Sequence, residues 1–145
     1  MTYEEIDHFL AIYGEVGSTG ELRRLLEEYR AEDAALQDAI KEFEEAGFFG
    51  RMSKEKKKNQ QRQKKREAKQ RLLNQLMVHF SLILRELRDT LPEWEDNYPD
   101  EAQRVKVLRP PEEKDGHADV VLAFCEEVLY VYKRLIGAGV VEKKS

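Results

Sequence analysis

A continuous stretch from Arg51 to Arg71 constrains the fold of this chain more than any other feature. It contains eleven lysine or arginine residues and two acidic residues, and neither glycine nor proline interrupts it. Lys, Arg and Gln are its commonest residues, and all three are good helix formers. The stretch continues without a break into an apolar sequence that ends at Leu91. The sequence therefore predicts one long helix, with a projecting basic arm as its first half and a core element as its second.

The charge of the basic stretch indicates a polyanionic partner. The stretch carries a net charge of +9, so the other residues must carry −13 to give the chain its net charge of −4. Like charges four residues apart on a helix repel each other, and a phosphate backbone would relieve that repulsion while releasing counterions. No aromatic residue is interleaved with the charges, so the pattern predicts backbone contact without sequence discrimination. The candidate nucleic-acid-binding residues are Lys54, Lys57, Lys58, Arg62, Lys64, Lys65, Arg66 and Lys69. A solvated charged segment is the alternative interpretation.

Size and composition predict a single helical domain over residues 1–145. The chain has 145 residues, of which 41% are hydrophobic, and this is enough to bury a core. A single cysteine, Cys125, excludes an intrachain disulfide. The acidic N-terminal sequence does not resemble a signal peptide, and no apolar run approaches the ~18 residues of a membrane span. We therefore expect a cytoplasmic protein with no membrane partner.

Capping patterns and apolar spacing place the first two helices. Thr2 followed by Glu5 is a capping box and opens a helix that should end before Gly17–Gly20. A second capping box, Ser18 with Glu21, opens a helix over 21–46, which a polar patch at 30–33 could bend or split. The following loop, Gly47–Gly50, contains two phenylalanines that we expect to pack onto the core.

The remaining elements follow from proline, glycine and apolar spacing. The basic stretch and its apolar continuation form a third helix, and Pro92 either ends it or begins a turn. Residues 92–117 are predicted to be irregular, with a short extended piece at 105–108. A last helix over 118–136 should be capped by Gly137. The prediction is an all-α bundle of four to five helices around a single core.

No pattern of catalytic or metal-binding residues is visible. The three histidines are scattered in sequence, and His79 lies on an apolar stripe where a core or boundary histidine is expected. Adjacent acidic residues diverge by about 100° on a helix and cannot act as a pair. We therefore expect neither enzymatic activity nor a cofactor nor a bound metal. Trp94 and Tyr98 stand in the irregular acidic segment, where they would either form a partner surface or pack locally.

Two segments carry a resemblance to a known family. Residues 18–26, STGELRRLL, resemble the Thr-Thr-Ser-x-Leu/Ile-Arg-x-Leu segment of the small helical subunit of type III-A CRISPR effector complexes. Residues 126–137, EEVLYVYKRLIG, are similar to that family's C-terminal segment. The matching positions there are Glu127, Leu129, Tyr132, Arg134 and Gly137. Lys133 stands where the family has histidine, the family's Tyr-Glu-x-Gly-Arg segment has only 84–88 in its place, and the basic stretch is an insertion. The resemblance implies a non-catalytic all-α subunit that stacks in copies beside the guide RNA and its target.

Two other interpretations remain open. Residues 3–45 resemble the helix-turn-helix opening of small terminase subunits of tailed phages, which bind DNA and oligomerise. The second helix of that region carries many acidic residues, which is unusual for a helix that enters the major groove. Alternatively, the acidic remainder of the chain could be the working surface of a protein-binding inhibitor or adaptor.

Overall fold

Six helices account for most of the chain in the computed structural model, which describes residues 2–13, 20–112 and 117–141. They are α1 (Tyr3–Tyr13), α2 (Glu21–Glu45), α3 (Arg51–Asp89), α4 (Leu91–Trp94), α5 (Pro99–Val107) and α6 (Ala118–Gly137). Within the described residues there is no β-strand, so the prediction of an all-α helical bundle is confirmed. None of the helices in these ranges is long and apolar enough to cross a membrane.

The chain forms two compact units. One consists of Arg23–Leu72, which includes most of α2 and the basic part of α3. The other consists of Met1–Leu22 with Leu73–Ser145. Helix α3 is unbroken from Arg51 to Asp89, as the absence of glycine and proline predicts.

The Arg23–Leu72 unit is a helical hairpin. Helix α2 and the first part of α3 run antiparallel, because the partners of successive α3 residues lie progressively earlier on α2. Lys57 bonds to Glu42, Lys65 lies beside Asp33, and Arg71 binds Glu28. Helix α2 is one continuous helix, so the predicted bend or split at 30–33 is not observed. The buried apolar residues of this unit are Leu25, Leu26, Tyr29, Leu36, Ala39, Ala68 and Leu72.

An aromatic cluster forms part of the core of the other unit. The ring of Phe9 on α1 lies 5.4 Å from that of Phe80 on α3 and 6.3 Å from that of Tyr132 on α6. His79 is 1% exposed and meets both phenylalanine rings edge-on. The prediction of a core histidine is therefore confirmed. Cys125, also on α6, is completely buried, and burial raises the pKa of its thiol to about 12.

The segment 92–117, predicted to be irregular, contains two helices instead. Pro92 does not end a helix but lies in the first turn of α4, where its missing N–H costs nothing. Pro99 begins α5 in the same way. The predicted extended piece at 105–108 is wrong, because α5 continues to Val107 and only Leu108 has an extended backbone. Trp94 is 1% exposed, so it packs locally and does not form a partner surface.

The helix ends show one correct and one incorrect prediction. The amide of Glu5 donates to Thr2 Oγ1 (3.2 Å), which confirms this half of the first capping box. The second capping box includes Ser18, which lies outside the described residues. At the end of α6 the C-cap is Ala138, followed by Gly139 in the left-handed region (φ +76°), and Gly137 is still helical. The Val140 N–H bonds to the Leu135 carbonyl (2.9 Å), as in a Schellman motif.

Candidate nucleic-acid interface

The eight residues predicted to bind nucleic acid all lie on the first half of α3. This part of the helix is not a projecting arm, because α2 packs along it. Over Arg23–Leu72 there are fifteen basic and ten acidic residues, which gives this unit a net charge of +5. The hairpin is therefore basic, while the rest of the chain carries −9.

Three of the eight cations form ion pairs with acidic residues of α2. Glu42 binds Lys57 at 2.8 Å and Lys54 at 3.6 Å. The hydrogen bond from Lys57 holds the pKa of the Glu42 carboxyl below its ordinary value. Asp33 binds Lys65 at 2.7 Å and raises the pKa of that amine. These contacts already satisfy the lysine charges, so a phosphate would have to compete with a carboxylate for each of them.

A fourth cation interacts with an aromatic ring. The Lys58 ammonium lies 3.8 Å from the ring centroid of Phe43 on α2. Such a cation–π contact is worth roughly 0.5–1 kcal/mol at an exposed site. The sequence indicated no aromatic residue among the charges of α3, but α2 brings Phe43 beside Lys58 and Tyr29 beside Lys65.

The other four cations are not ion-paired to any residue in the described part of the chain. Arg62, Arg66 and Lys69 lie at i, i+4 and i+7 and therefore share one face of α3. Lys64 is two residues from both arginines, which places it about 200° around the helix on another face. Arg66 contacts Gln63, a neutral side chain on its own helix, at 3.2 Å. These three residues are thus the cations that one ligand could meet together without breaking an ion pair.

Arg62, Arg66 and Lys69 line a groove along the hairpin. The groove has a volume of about 260 Å³, and its other lining residues are Lys65 and, from α2, Tyr29 and Leu36. Tyr29 and Leu36 are largely buried and give the groove an apolar floor beneath its charged rim. A rim of cations above an apolar floor can hold anionic groups such as phosphates while the floor covers sugar or base carbons.

The sequence did not predict that acidic residues of α2 would form ion pairs with some of the cations of α3 and leave others unpaired. The signal was present in the acidic residues of α2 at positions 28, 33 and 42, which lie opposite lysines and arginines of α3 in an antiparallel hairpin. The exposed position of Phe48 and Phe49 was also not predicted. These side chains are 86% and 95% exposed, so the prediction that they pack onto the core is wrong.

The residues of the C-terminal resemblance have structural roles on α6. Glu127 accepts a hydrogen bond from Arg104 (2.8 Å), and Arg134 donates one to Glu101 (2.6 Å). Tyr132 is 1% exposed. These side chains therefore join α6 to α5 or fill the core. Among the described residues, no group of three or more His, Cys, Asp or Glu side chains could hold a metal ion.

Comparisons with protein-family models, with curated proteins and with solved structures found no match to this chain.

Proposed function

We propose that this chain binds the phosphate backbone of nucleic acid, foremost RNA, without reading its sequence. The observation that carries the proposal is the row formed by Arg62, Arg66 and Lys69 on one flank of the hairpin. The row is not neutralised by carboxylates of the described residues, although the same helix has four cations that are. Acidic residues of α2 thus occupy one face of the basic helix and leave another for an external anion.

The spacing of the row suits a phosphate backbone. Arg62 and Arg66 are about 6 Å apart along the helix axis, and Lys69 lies a further ~4.5 Å along it. The row therefore presents a regular line of positive charge. Arginine can bind phosphate oxygens through two parallel hydrogen bonds. Since these contacts go to the backbone, they would position the nucleic acid without reading its bases.

The narrower proposal is that the chain is a non-catalytic small subunit of a cytoplasmic CRISPR-type ribonucleoprotein. It is supported by the resemblance at residues 18–26 and 126–137 and by the all-α fold. In such a complex, the basic hairpin would lie beside the guide RNA or its target. Co-purification of this chain with a defined guide RNA and large effector subunits tests this part of the proposal. Failure to co-purify with either would contradict it.

The salt dependence of binding tests backbone contact. If three phosphates are neutralised, the logarithm of the affinity for single-stranded RNA should fall with the logarithm of the salt concentration with a slope of about −2 to −3. The triple variant Arg62→Gln, Arg66→Gln, Lys69→Gln should flatten that slope toward zero and weaken binding to all sequences alike. Fluorescence anisotropy over a salt series measures both quantities.

A control variant removes three positive charges from α3 outside the groove. Lys54→Gln, Lys57→Gln, Lys64→Gln changes the net charge by the same three units but leaves the groove intact. It should retain most of the slope, because Lys54 and Lys57 are already bound to Glu42. Equal weakening by the two triple variants would mean that overall charge, and not the groove, attracts the polyanion.

A second candidate function is contact with another protein subunit, which an apolar strip on α3 favours. Val78 and Leu82 are 52% and 38% exposed and line a shallow pocket of about 370 Å³ together with Met77, Ser81 and Arg85. In the CRISPR-type proposal, this strip would meet a neighbouring copy. Sedimentation velocity should then show self-association that Leu82→Glu abolishes.

A further inference from the structure

The turn that joins α2 to α3 presents two aromatic rings to solvent. The amides of Gly50 and Arg51 both donate to the Gly47 carbonyl, at 3.0 and 3.2 Å, and close a tight turn. Phe48 and Phe49 occupy the two corners of this turn. The hydrogen bonds hold the corners outward, which explains why rings of this size are not folded back onto the hairpin.

The two rings have a fixed arrangement. Their centroids are 5.3 Å apart, and the planes meet at 85°. Because one ring meets the other edge-on, the pair leaves ring faces uncovered. Phe48 and Phe49 are the most exposed large apolar side chains among the described residues. Folding therefore gains little free energy from burying either ring. A bound ligand could still cover the exposed ring faces.

The size of this patch limits what can cover it. The neighbouring apolar side chain is Met52, 83% exposed. A buried phenylalanine contributes roughly 150–250 Å², so the patch is well below the ~800 Å² that each partner buries in a stable protein interface. A second protein would need much more contact than the turn offers. A flat ring system, such as a nucleobase, would cover one ring face and would need no contact area beyond the turn.

The charges next to the turn indicate which flat ligand fits. Arg51 directly follows the turn, and its guanidinium lies 5.8 Å from the Phe43 ring centroid. Lys58 lies seven residues further on, which places it on the same face of α3, and its ammonium lies 3.8 Å from the same ring centroid. Aromatic faces beside a line of cations are typical of proteins that bind single-stranded nucleic acid.

We infer that Phe48 and Phe49 stack on unpaired bases of a single-stranded nucleic acid whose backbone continues along α3 to the groove. This inference rests on the proposed function and narrows its ligand from nucleic acid to a single strand. Arg62 lies eleven residues beyond Arg51, about 16 Å along the helix. About five stacked nucleotides span that distance at ~3.4 Å each. A strand of about ten nucleotides can therefore reach both places, whereas a trinucleotide cannot.

The test compares Phe48→Ala, Phe49→Ala with the parent, using an oligouridylate of about twelve nucleotides. Loss of one stacked base should weaken binding about 5- to 150-fold, which corresponds to ~1–3 kcal/mol per base at ~1.4 kcal/mol per tenfold. The salt slope should stay unchanged, because no phosphate contact is lost. Both rings are almost fully exposed, so the variant should fold like the parent.

An abasic oligonucleotide of the same length provides the matched probe. It keeps the phosphates and lacks the bases, so the parent and the alanine variant should bind it equally well. The same should hold for duplex RNA, whose bases are already stacked. A variant that keeps Phe48→Ala but has Phe49→Trp should regain part of the lost binding to the oligouridylate, since an indole stacks at least as well as a phenyl ring.

The outcomes separate this inference from the proposed function. If the alanine variant binds the oligouridylate like the parent while the groove variant loses its salt slope, the inference is wrong and the proposed function stands. If the parent binds none of the nucleic-acid probes at low salt, both are wrong. Binding to anionic vesicles that requires Phe48 and Phe49, without binding to the oligouridylate, would assign the turn to a membrane surface and overturn the inference.

Discussion

Thr90 is a single residue that connects the end of α3 to α4. Its hydroxyl donates to the Glu86 carbonyl (3.1 Å) and accepts a hydrogen bond from the indole N–H of Trp94 (3.1 Å). Trp94 is 1% exposed, so water cannot replace that hydrogen bond. Thr90→Val keeps the shape of the side chain and removes the acceptor. We expect it to lower the free energy of unfolding by about 1–3 kcal/mol, as measured by urea denaturation.

Thr90→Ser is the control for that prediction. It retains the hydroxyl and loses one methyl group, so its cost should be clearly smaller than that of the valine variant. Equal stability of the two variants would show that the Trp94 hydrogen bond contributes nothing.

Glu101 makes the stability of the protein depend on pH. It is 7% exposed and accepts a hydrogen bond from Arg134 (2.6 Å). Its own backbone N–H and the Arg134 guanidinium hold the pKa of this carboxyl below its ordinary value of 4.5. A lowered pKa in the folded state means that the stabilisation is complete above the ordinary value and is lost as the pH falls through the folded-state pKa.

Glu101→Gln should therefore destabilise the protein at neutral pH but not in acid. We expect a loss of about 1 kcal/mol at pH 7, because the carboxylate is buried while its partner is exposed to solvent. The difference from the parent should shrink as the pH falls below the ordinary pKa of 4.5 and through the lower pKa that Glu101 has in the folded state. Thermal denaturation followed by circular dichroism from pH 3 to pH 8 measures it. The exposed Glu93→Gln serves as control, and a difference that grows in acid would contradict the assignment.

At the scale of elements, α2 regulates the charge that α3 presents. Glu42 holds Lys54 and Lys57, so Glu42→Gln should release two cations. We expect tighter binding to single-stranded RNA and a steeper salt slope, by up to about two units if both lysines reach phosphates. Stability should change little, since these ion pairs are exposed. Fluorescence anisotropy over a salt series provides the measurement.

Glu55→Gln is the matched control for this effect. It raises the net charge by the same single unit, but Glu55 forms no ion pair within the described part of the chain, so no lysine is released. If both variants steepen the slope equally, the ion pairs with Glu42 do not restrain the lysines.

The sequence predicted a helix best where local helix propensity alone is enough to determine it. Helix α3 was predicted over 51–91 and extends over Arg51–Asp89, because unbroken helix formers lie between flanking glycines and a proline. Helix α5 was missed, although Pro99 at its start and two acidic residues in its first turn are helix-start signals. A nine-residue helix is marginal alone. Its contacts with α6, through Arg104 and Arg134, stabilise it and could not be read from local sequence.

The candidate site was only partly predictable for the same reason. All eight cations were identified from composition, but which of them are ion-paired depends on the register between α2 and α3. Leu36 of α2 and Ala68 of α3 are both buried, and no local pattern specifies how such residues align between the two helices. The turn residues Phe48 and Phe49 were misplaced because apolar character alone suggests burial, whereas the hydrogen-bonded turn points them outward.

At the scale of the whole molecule, the charges of the chain oppose each other. The hairpin carries +5 and the remaining residues −9. A polyanion is thus attracted to one unit and repelled by the other, and salt screens both interactions within about 10 Å at 0.1 M. The isolated chain should consequently bind nucleic acid weakly. Neighbours that neutralise the acidic surface would strengthen binding without touching the groove.

Because Cys125 is buried, the labelling rate of the chain's single thiol reports how often the protein opens. Because burial raises the pKa of this thiol to about 12, very little of it is ionised at pH 8. The native protein should therefore resist a thiol reagent such as Ellman's reagent, whereas the urea-unfolded chain should react at once. The slow labelling rate of the native protein then measures how often the helices around α6 open, with no engineered probe. Rapid, stoichiometric labelling without denaturant would show that α6 is exposed far more often than its packing implies.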